Sequence, residues 1–260
     1  MMNQQISAMD KIEISNTFTK KNNANWNCPK CNRVLVLKKN SFHAHESSET
    51  QLMLERPDCH QMEYSYVFSC LFHCTNNGCN EHVACTGEGF HDIEISHDNE
   101  GYPVQQYPIF YKPKYFFPNV NLFPLSNNVP KDINLALSKS FELFFCNYDA
   151  ALNQVRICIE LLMDSWGIAS STETNKFISL HTRITKIPEK YSKLKSVLTA
   201  VKWLGNAGSH SSVRITKKDL LDAYEIVNYI LIEVFSSKHE KISGMANEIN
   251  TSKGPRNTEY

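Results

Sequence analysis

No apolar run in this chain approaches the roughly 18 residues needed to cross a bilayer. The opening residues, MMNQQISAMDK, lack the hydrophobic segment of a secretory signal. The expectation is therefore a cytoplasmic protein with no membrane partner and with reduced thiols. An excess of one charge is missing too: 27 basic residues balance 27 acidic ones. With a pI near 7.1 there is no general attraction to nucleic acid or to an anionic membrane. Glycine is scarce, nine in 260 residues, which leaves little from which to build a nucleotide-cradling loop. Phosphate-loop and dinucleotide motifs are absent. No serine or cysteine stands in a recognisable nucleophile elbow or dyad, so a covalent hydrolase is not expected.

What the chain does contain is uneven. Residues 1–25 are polar and read as a flexible arm. Residues 26–101 are rich in cysteine and histidine. Residues 102–129 carry prolines at 103, 108, 113, 118 and 124 among many aromatics, and proline disfavours helix. That stretch reads as an extended connector packed on a domain surface, with a strand at Ile109–Tyr111. From 130 to 237 the apolar spacing turns helical, and the polar residues 238–260 read as a disordered tail.

Nine cysteines, an odd number, point to metal ligands plus buried thiols instead of a disulfide framework. Cys28-Pro-Lys-Cys31 is a CxxC turn before an apolar run, Val34–Leu37, that suits a strand. Cys74-Thr-Asn-Asn-Gly-Cys79 closes a second turn, its Asn-Asn-Gly suited to a tight bend. Ahead of it Tyr64, Tyr66, Phe68, Cys70 and Phe72 alternate as one strand face, and His82–Phe90 gives a second, shorter strand. Two cysteine turns at the ends of strand pairs are the layout of a zinc ribbon, with Cys28, Cys31, Cys74 and Cys79 closing a tetrahedral shell around a structural Zn²⁺. Cys59, His60, Cys70 and Cys85 are the possible substitutes, Cys70 and Cys85 reading better as buried thiols. The histidines at 43, 45, 73, 82, 91 and 97 are scattered and read as surface or packing residues. The region holds five basic residues against eleven acidic ones, a net of −6 that repels phosphate. A protein contact or a structural role suits it better than nucleic acid.

The overall expectation is α+β: a small β-rich zinc ribbon followed by an all-α bundle of about five helices. A first helix opens at Pro130 and buries Leu137, Phe141, Phe144 and Phe145. A second, after Asp149, buries Ala151, Val155, Cys158, Ile159, Leu162 and Trp166 and ends at Gly167. Phe177, Leu180, Ile184 and Ile187 mark a third, stopped by Pro188. The fourth, from Glu189, has a core stripe through Leu194, Leu198 and Val201 and a polar flank of Lys195, Thr199, Lys202, Asn206 and His210. Glycine costs about 1 kcal/mol in a helix interior, so Gly205 and Gly208 imply close approach to a neighbour. The last helix starts at Thr216-Lys-Lys-Asp219, close to a capping box. Lysines 186, 190, 193 and 195 read as a solvated face.

The segments NQVRICIELL (153–162) and GN-x-x-x-H (205–210), with the capped last helix, resemble a bacterial family known only as a domain of unknown function, the domain-of-unknown-function 4145 family. That family is similar to the wider HEPN helical superfamily. The resemblance is most specific at Arg156, Glu160, Gly205, Asn206 and His210. It implies an amino-terminal cysteine-rich ribbon and a setting beside restriction or anti-phage defence components. In ribonucleases of the superfamily an arginine stands before a catalytic histidine with four to six residues between them, and two such motifs meet across a dimer. Here Trp203, Leu204 and Gly205 occupy the arginine's positions, and none is basic.

The reading that follows is a non-enzymatic zinc-binding interaction or sensor protein, in a defence setting that comes from the resemblance alone. Its partners are expected to be proteins or a second copy bound through the helical domain, where nucleic acid also remains an option. Asn206 and His210 then form a polar seam with Arg156 or Glu160 between two helices. One alternative is a metal-independent ribonuclease using His210 with Arg156 or Lys202. The other is a dimer gated by a nucleotide or small ligand.

Overall fold

The computed structural model of the protein describes residues 16–21, 26–208, 214–236 and 238–254. Its amino-terminal half is built on a long antiparallel hairpin, β3 (Ser65–Cys74) and β4 (His82–His91). Along β3 the side chains of Phe68, Cys70, Phe72 and Cys74 are buried at every second position, the period a half-buried strand requires. The two strands are equal in length, ten residues each, so the strand after Cys79 is not the shorter one expected. On the far side of β3 lie β1 (Leu35–Leu37), opposite Phe72–Cys74, and β2 (His43–Glu46), opposite Tyr66–Ser69. A short helix, α1 (Ser48–Met53), follows β2 and is capped by Ser47.

Part of the stretch expected as a connector is sheet, and the strand expected at Ile109–Tyr111 is the start of a longer one. β7 (Ile109–Phe117) pairs along the free side of β4. The boundary expected at residue 101 falls inside a second hairpin, β5 (Glu94–His97) with β6 (Pro103–Gln106). Proline misleads here because an edge strand tolerates it. At Pro113 the register shifts beside a bulge at Thr86/Gly87. A Cβ on Gly87 would stand 2.2 Å from the carbonyl oxygen of Lys112 and 2.9 Å from Pro113 Cα, so only glycine fits that approach.

The polar arm also contributes to the core. Phe18 exchanges both backbone hydrogen bonds with Tyr111 (3.0 and 2.8 Å). Its ring is buried among Trp26, Phe42, Phe68, Phe72 and Tyr111.

The carboxy-terminal half is helical: α2 (Lys131–Leu143), α3 (Tyr148–Ser165), α4 (Leu180–Thr185), α5 (Lys195–Gly208), α6 (Lys217–Phe235) and α7 (Lys238–Ser252). A 3₁₀ turn, Glu189–Leu194, replaces the first part of the expected fourth helix. The five expected helices correspond to α2–α6. α7 lies where a disordered tail was expected; Ile242, Met245 and Ile249 recur along it at helical spacing, all exposed.

Three details differ from the expected core. Phe144 and Phe145 are buried just beyond the end of α2. Trp166 caps α3 and stacks on Tyr191 at 4.7 Å. Phe177 stands 74% exposed, because α4 starts only at Leu180.

Sheet and helices share one core. Trp26 packs edge-on against Phe72, Phe116 and Phe145, and Phe116 meets Phe145 at 4.8 Å. Phe123, beyond β7, packs against Phe141 at 4.9 Å. Several buried polar groups in the bundle find partners, as burial favours. Ser140 donates to the Ala151 carbonyl (2.7 Å), and Tyr224 donates to the Ser140 carbonyl (3.1 Å). Arg183, only 3% exposed, donates to Asp164 and to the Ile168 carbonyl, joining α4 to the end of α3.

Candidate functional site

Two groups of side chains have more chemistry than packing requires. The first is at the end of the long hairpin. Asn27 bridges Val34, and within that small loop Cys28 N–H donates to the Arg33 carbonyl (2.7 Å) while Asn32 takes a left-handed conformation, φ 61°. The β3–β4 loop closes in the same manner. Cys79 N–H donates to the Asn76 carbonyl (2.9 Å), and Gly78 N–H donates to the Asn76 side chain (3.1 Å). Asparagine serves both turns because its short amide stabilises them locally. Thr75 N–H donates to the Val34 carbonyl (3.1 Å) and sets the two loops face to face.

The four sulfurs of Cys28, Cys31, Cys74 and Cys79 all lie within 4.8 Å of one another, with Cys28–Cys79 at 3.8 Å and Cys31–Cys74 at 3.3 Å. A tetrahedral shell with metal–sulfur bonds of about 2.3 Å has edges of about 3.8 Å. The group could hold a metal ion, and among the described residues no second cluster of this kind occurs. The electrostatics agree. Burial opposes ionisation of Cys31, but the Arg33 N–H and the neighbouring thiols outweigh it and bring that thiol down to about 6. Burial pushes Cys74 up to about 12, with further contributions from Cys31 and Cys28. Thiolates as close as those of Cys31 and Cys74 would repel each other, a repulsion that a cation among them removes.

The alternative ligands point elsewhere. Cys70 and Cys85 face each other across β3 and β4 and are buried; desolvation pushes the Cys85 thiol up. The Cys59 sulfur contacts the Tyr64 hydroxyl at 3.3 Å, and the His60 ring accepts the Met62 N–H. The acidity of the region is partly answered by β7, whose Lys112 and Lys114 both reach Glu88 (3.5 and 3.0 Å).

The second group lines a cleft of about 380 Å³ between α3, α4 and α5. Arg156, Lys202 and Asn206, proposed from the sequence, share its wall with His181, Phe177 and Trp203, which were not. Arg156 Nε pairs with Glu160 at 3.1 Å, as the four-residue spacing allows. Gly205 makes the close approach anticipated for it: a Cβ there would stand 2.9 Å from Arg156 Cβ. Lys202 is 4% exposed; its ammonium lies 3.4 Å from the centre of the Trp203 ring and 3.5 Å from His181 Nδ1. His210 lies outside the described residues, so its part in the expected seam has no geometry to report. His181 carried no signal in the sequence, where it sits in an ordinary helical turn; only the crossing of α4 and α5 places it beside Lys202. Of the four lysines read as a solvated face, Lys193 pairs with Glu233 and Lys190 lies over Tyr191.

No curated protein and no solved structure gives a significant match to the chain. Residues 16–116 match the family model described as a domain of unknown function, DUF8608. That span takes in Phe18 and nearly all of β7, in keeping with their place in the sheet. Residues 139–252, which end with the last residue of α7, match a second model, the domain of unknown function DUF4145.

Proposed function

We propose that this chain is a zinc-binding interaction or sensor protein, in which a zinc ribbon serves as a structural head and the helical body makes the functional contacts. The convergence of the four sulfurs carries the reading. Zinc is the natural occupant of four thiolates in a closed tetrahedral shell: it has no redox chemistry, and with no open position it stabilises the fold without acting on a substrate. The defence setting rests on the family resemblance of the helical half.

Metal analysis of the purified full chain tests the zinc. One equivalent per chain is expected, falling to near zero in Cys74→Ser. A metal-free protein with four freely reactive thiols contradicts the proposal.

A metal-independent ribonuclease is the second reading, favoured by Arg156, Lys202 and Asn206 sharing one cleft wall. Cleavage of mixed RNA that is lost in a folded His210→Ala variant is the result that would establish it over the first.

A further inference from the structure

We infer that the cleft between α3, α4 and α5 is a binding site for a small aromatic phosphomonoester, its phosphate held by Lys202, His181 and Arg156 and its ring laid against Trp203 and Phe177. This stands apart from the metal reading, since no zinc ligand lines the cleft.

The argument starts with Lys202. A charged ammonium removed from water needs an anion or several acceptors in its place. Lys202 is 4% exposed, yet among the described residues no carboxylate stands within ion-pair distance of it. What it has is a ring nitrogen at 3.5 Å and the face of Trp203 at 3.4 Å, and neither supplies a full negative charge. Accepting from Lys202 fixes His181 in the tautomer whose Nε2 carries the proton, which leaves a donor for a ligand.

Arg156, from α3, adds a second cation to the lining of the cleft. Its Nε is engaged by Glu160, but a guanidinium keeps further N–H groups for another acceptor. Glu160 offsets one of the two fixed charges, so the cleft keeps an unbalanced positive charge that suits a phosphate better than a second carboxylate.

The aromatic half comes from exposure. Trp203 is 62% and Phe177 74% exposed, and both line the same cleft. Large rings left in water beside convergent polar donors are a frequent composition of small-molecule sites. A volume of about 380 Å³ lies at the lower end of the roughly 300–1,000 Å³ such sites occupy. One face of the Trp203 ring is taken by Lys202, which fixes the ring's orientation and leaves its other surface for stacking.

Calorimetry on the full metal-loaded chain tests this with phenyl phosphate, inorganic phosphate and phenol. Saturable binding is expected for phenyl phosphate, weaker binding for inorganic phosphate and none for phenol. Lys202→Met is expected to weaken phenyl phosphate binding about tenfold or more. Trp203→Ala is expected to weaken phenyl phosphate while leaving inorganic phosphate unchanged. No saturable binding of phenyl phosphate at about 10 mM, an affinity too weak to be specific, overturns the inference. So does equal binding of both phosphates, or binding indifferent to Lys202→Met. Should circular dichroism show that Lys202→Met does not fold, the exposed pair His181→Gln and Trp203→Ala decides: no loss of phenyl phosphate binding in either sinks the idea. The metal content, measured on the same samples, keeps failure here distinct from failure of the zinc proposal.

Discussion

At position 205 the backbone of α5 passes so close to α3 that an added Cβ meets the Cβ of Arg156 at 2.9 Å and its Cδ at 3.2 Å. A Cβ cannot swing aside as the end of a long side chain does. Gly205→Ala therefore gains about 1 kcal/mol of helix propensity but overpacks the crossing, which typically costs about 1–3 kcal/mol. The net expectation is a loss of about 1 kcal/mol, read as a lower urea midpoint with an unchanged slope; a stabilised variant would mean the helices move apart freely. This contact was legible in the sequence because a glycine inside an apolar stripe needs a neighbour. The four cysteines were legible from their turns. The Arg156–Glu160 pair was not, because either residue was expected to partner Asn206 and His210 on the neighbouring helix. Nor were His181, Phe177 and Phe18. Each is an ordinary residue locally, and its role comes from a partner distant in the chain: α5 for His181 and β7 for Phe18.

Elements were readable where their ends are chemically marked. Thr216 accepts the Asp219 N–H (3.2 Å), and Asp219 accepts the Thr216 N–H (2.9 Å), a reciprocal cap at the start of α6. Thr216→Ala is expected to lower stability by about 1 kcal/mol at neutral pH. The Thr216 side chain, and then its backbone N–H, hold the Asp219 carboxyl below the usual carboxylate range. A depressed folded pKa means that its contribution is complete above the unfolded value of about 3.9 and fades as pH falls through the folded one. The difference between wild type and Thr216→Ala in urea midpoint should thus narrow in acid; a gap that stays constant would assign the effect to the hydroxyl alone. Elements without such marks were misread. β7 was legible only at its start, Ile109–Tyr111, because Pro113 interrupts the rest of its pattern; an edge position and a bulge absorb the irregularity. α7 looked like tail because its sparse apolar residues, Ile242, Met245 and Ile249, lie among polar neighbours and bury little.

For the molecule as a whole, the question is whether the clasp steadies only the sheet or the entire chain. Trp26 stands two residues before Cys28; its carbonyl accepts the Leu35 N–H (2.8 Å), and its ring lies between Phe72 and Phe116 of the sheet and Phe145 of the helical half. Asn121 ties the same loop down from the other side, its amide donating to the Pro29 carbonyl (3.1 Å). The Cys28–Cys31 loop and the sheet–helix boundary are thus one piece of structure. Trp26→Ala should cost about 3–5 kcal/mol, the usual toll of emptying a large aromatic site. Removing the proposed zinc frees the loop that holds this ring and should act in the same direction, since the ligating energy of a small metal domain is folding energy. In a Trp166→Phe, Trp203→Phe variant, whose fluorescence reports Trp26 alone, the expected outcome of chelation is that the fluorescence and far-ultraviolet helical signals melt together, at a lower temperature than in the metal-loaded variant. A helical transition that stays where it was while the sheet melts early would mean that the shared aromatic core does not couple the halves. The helices would then be stable in their own right, with the sulfur clasp serving the sheet alone.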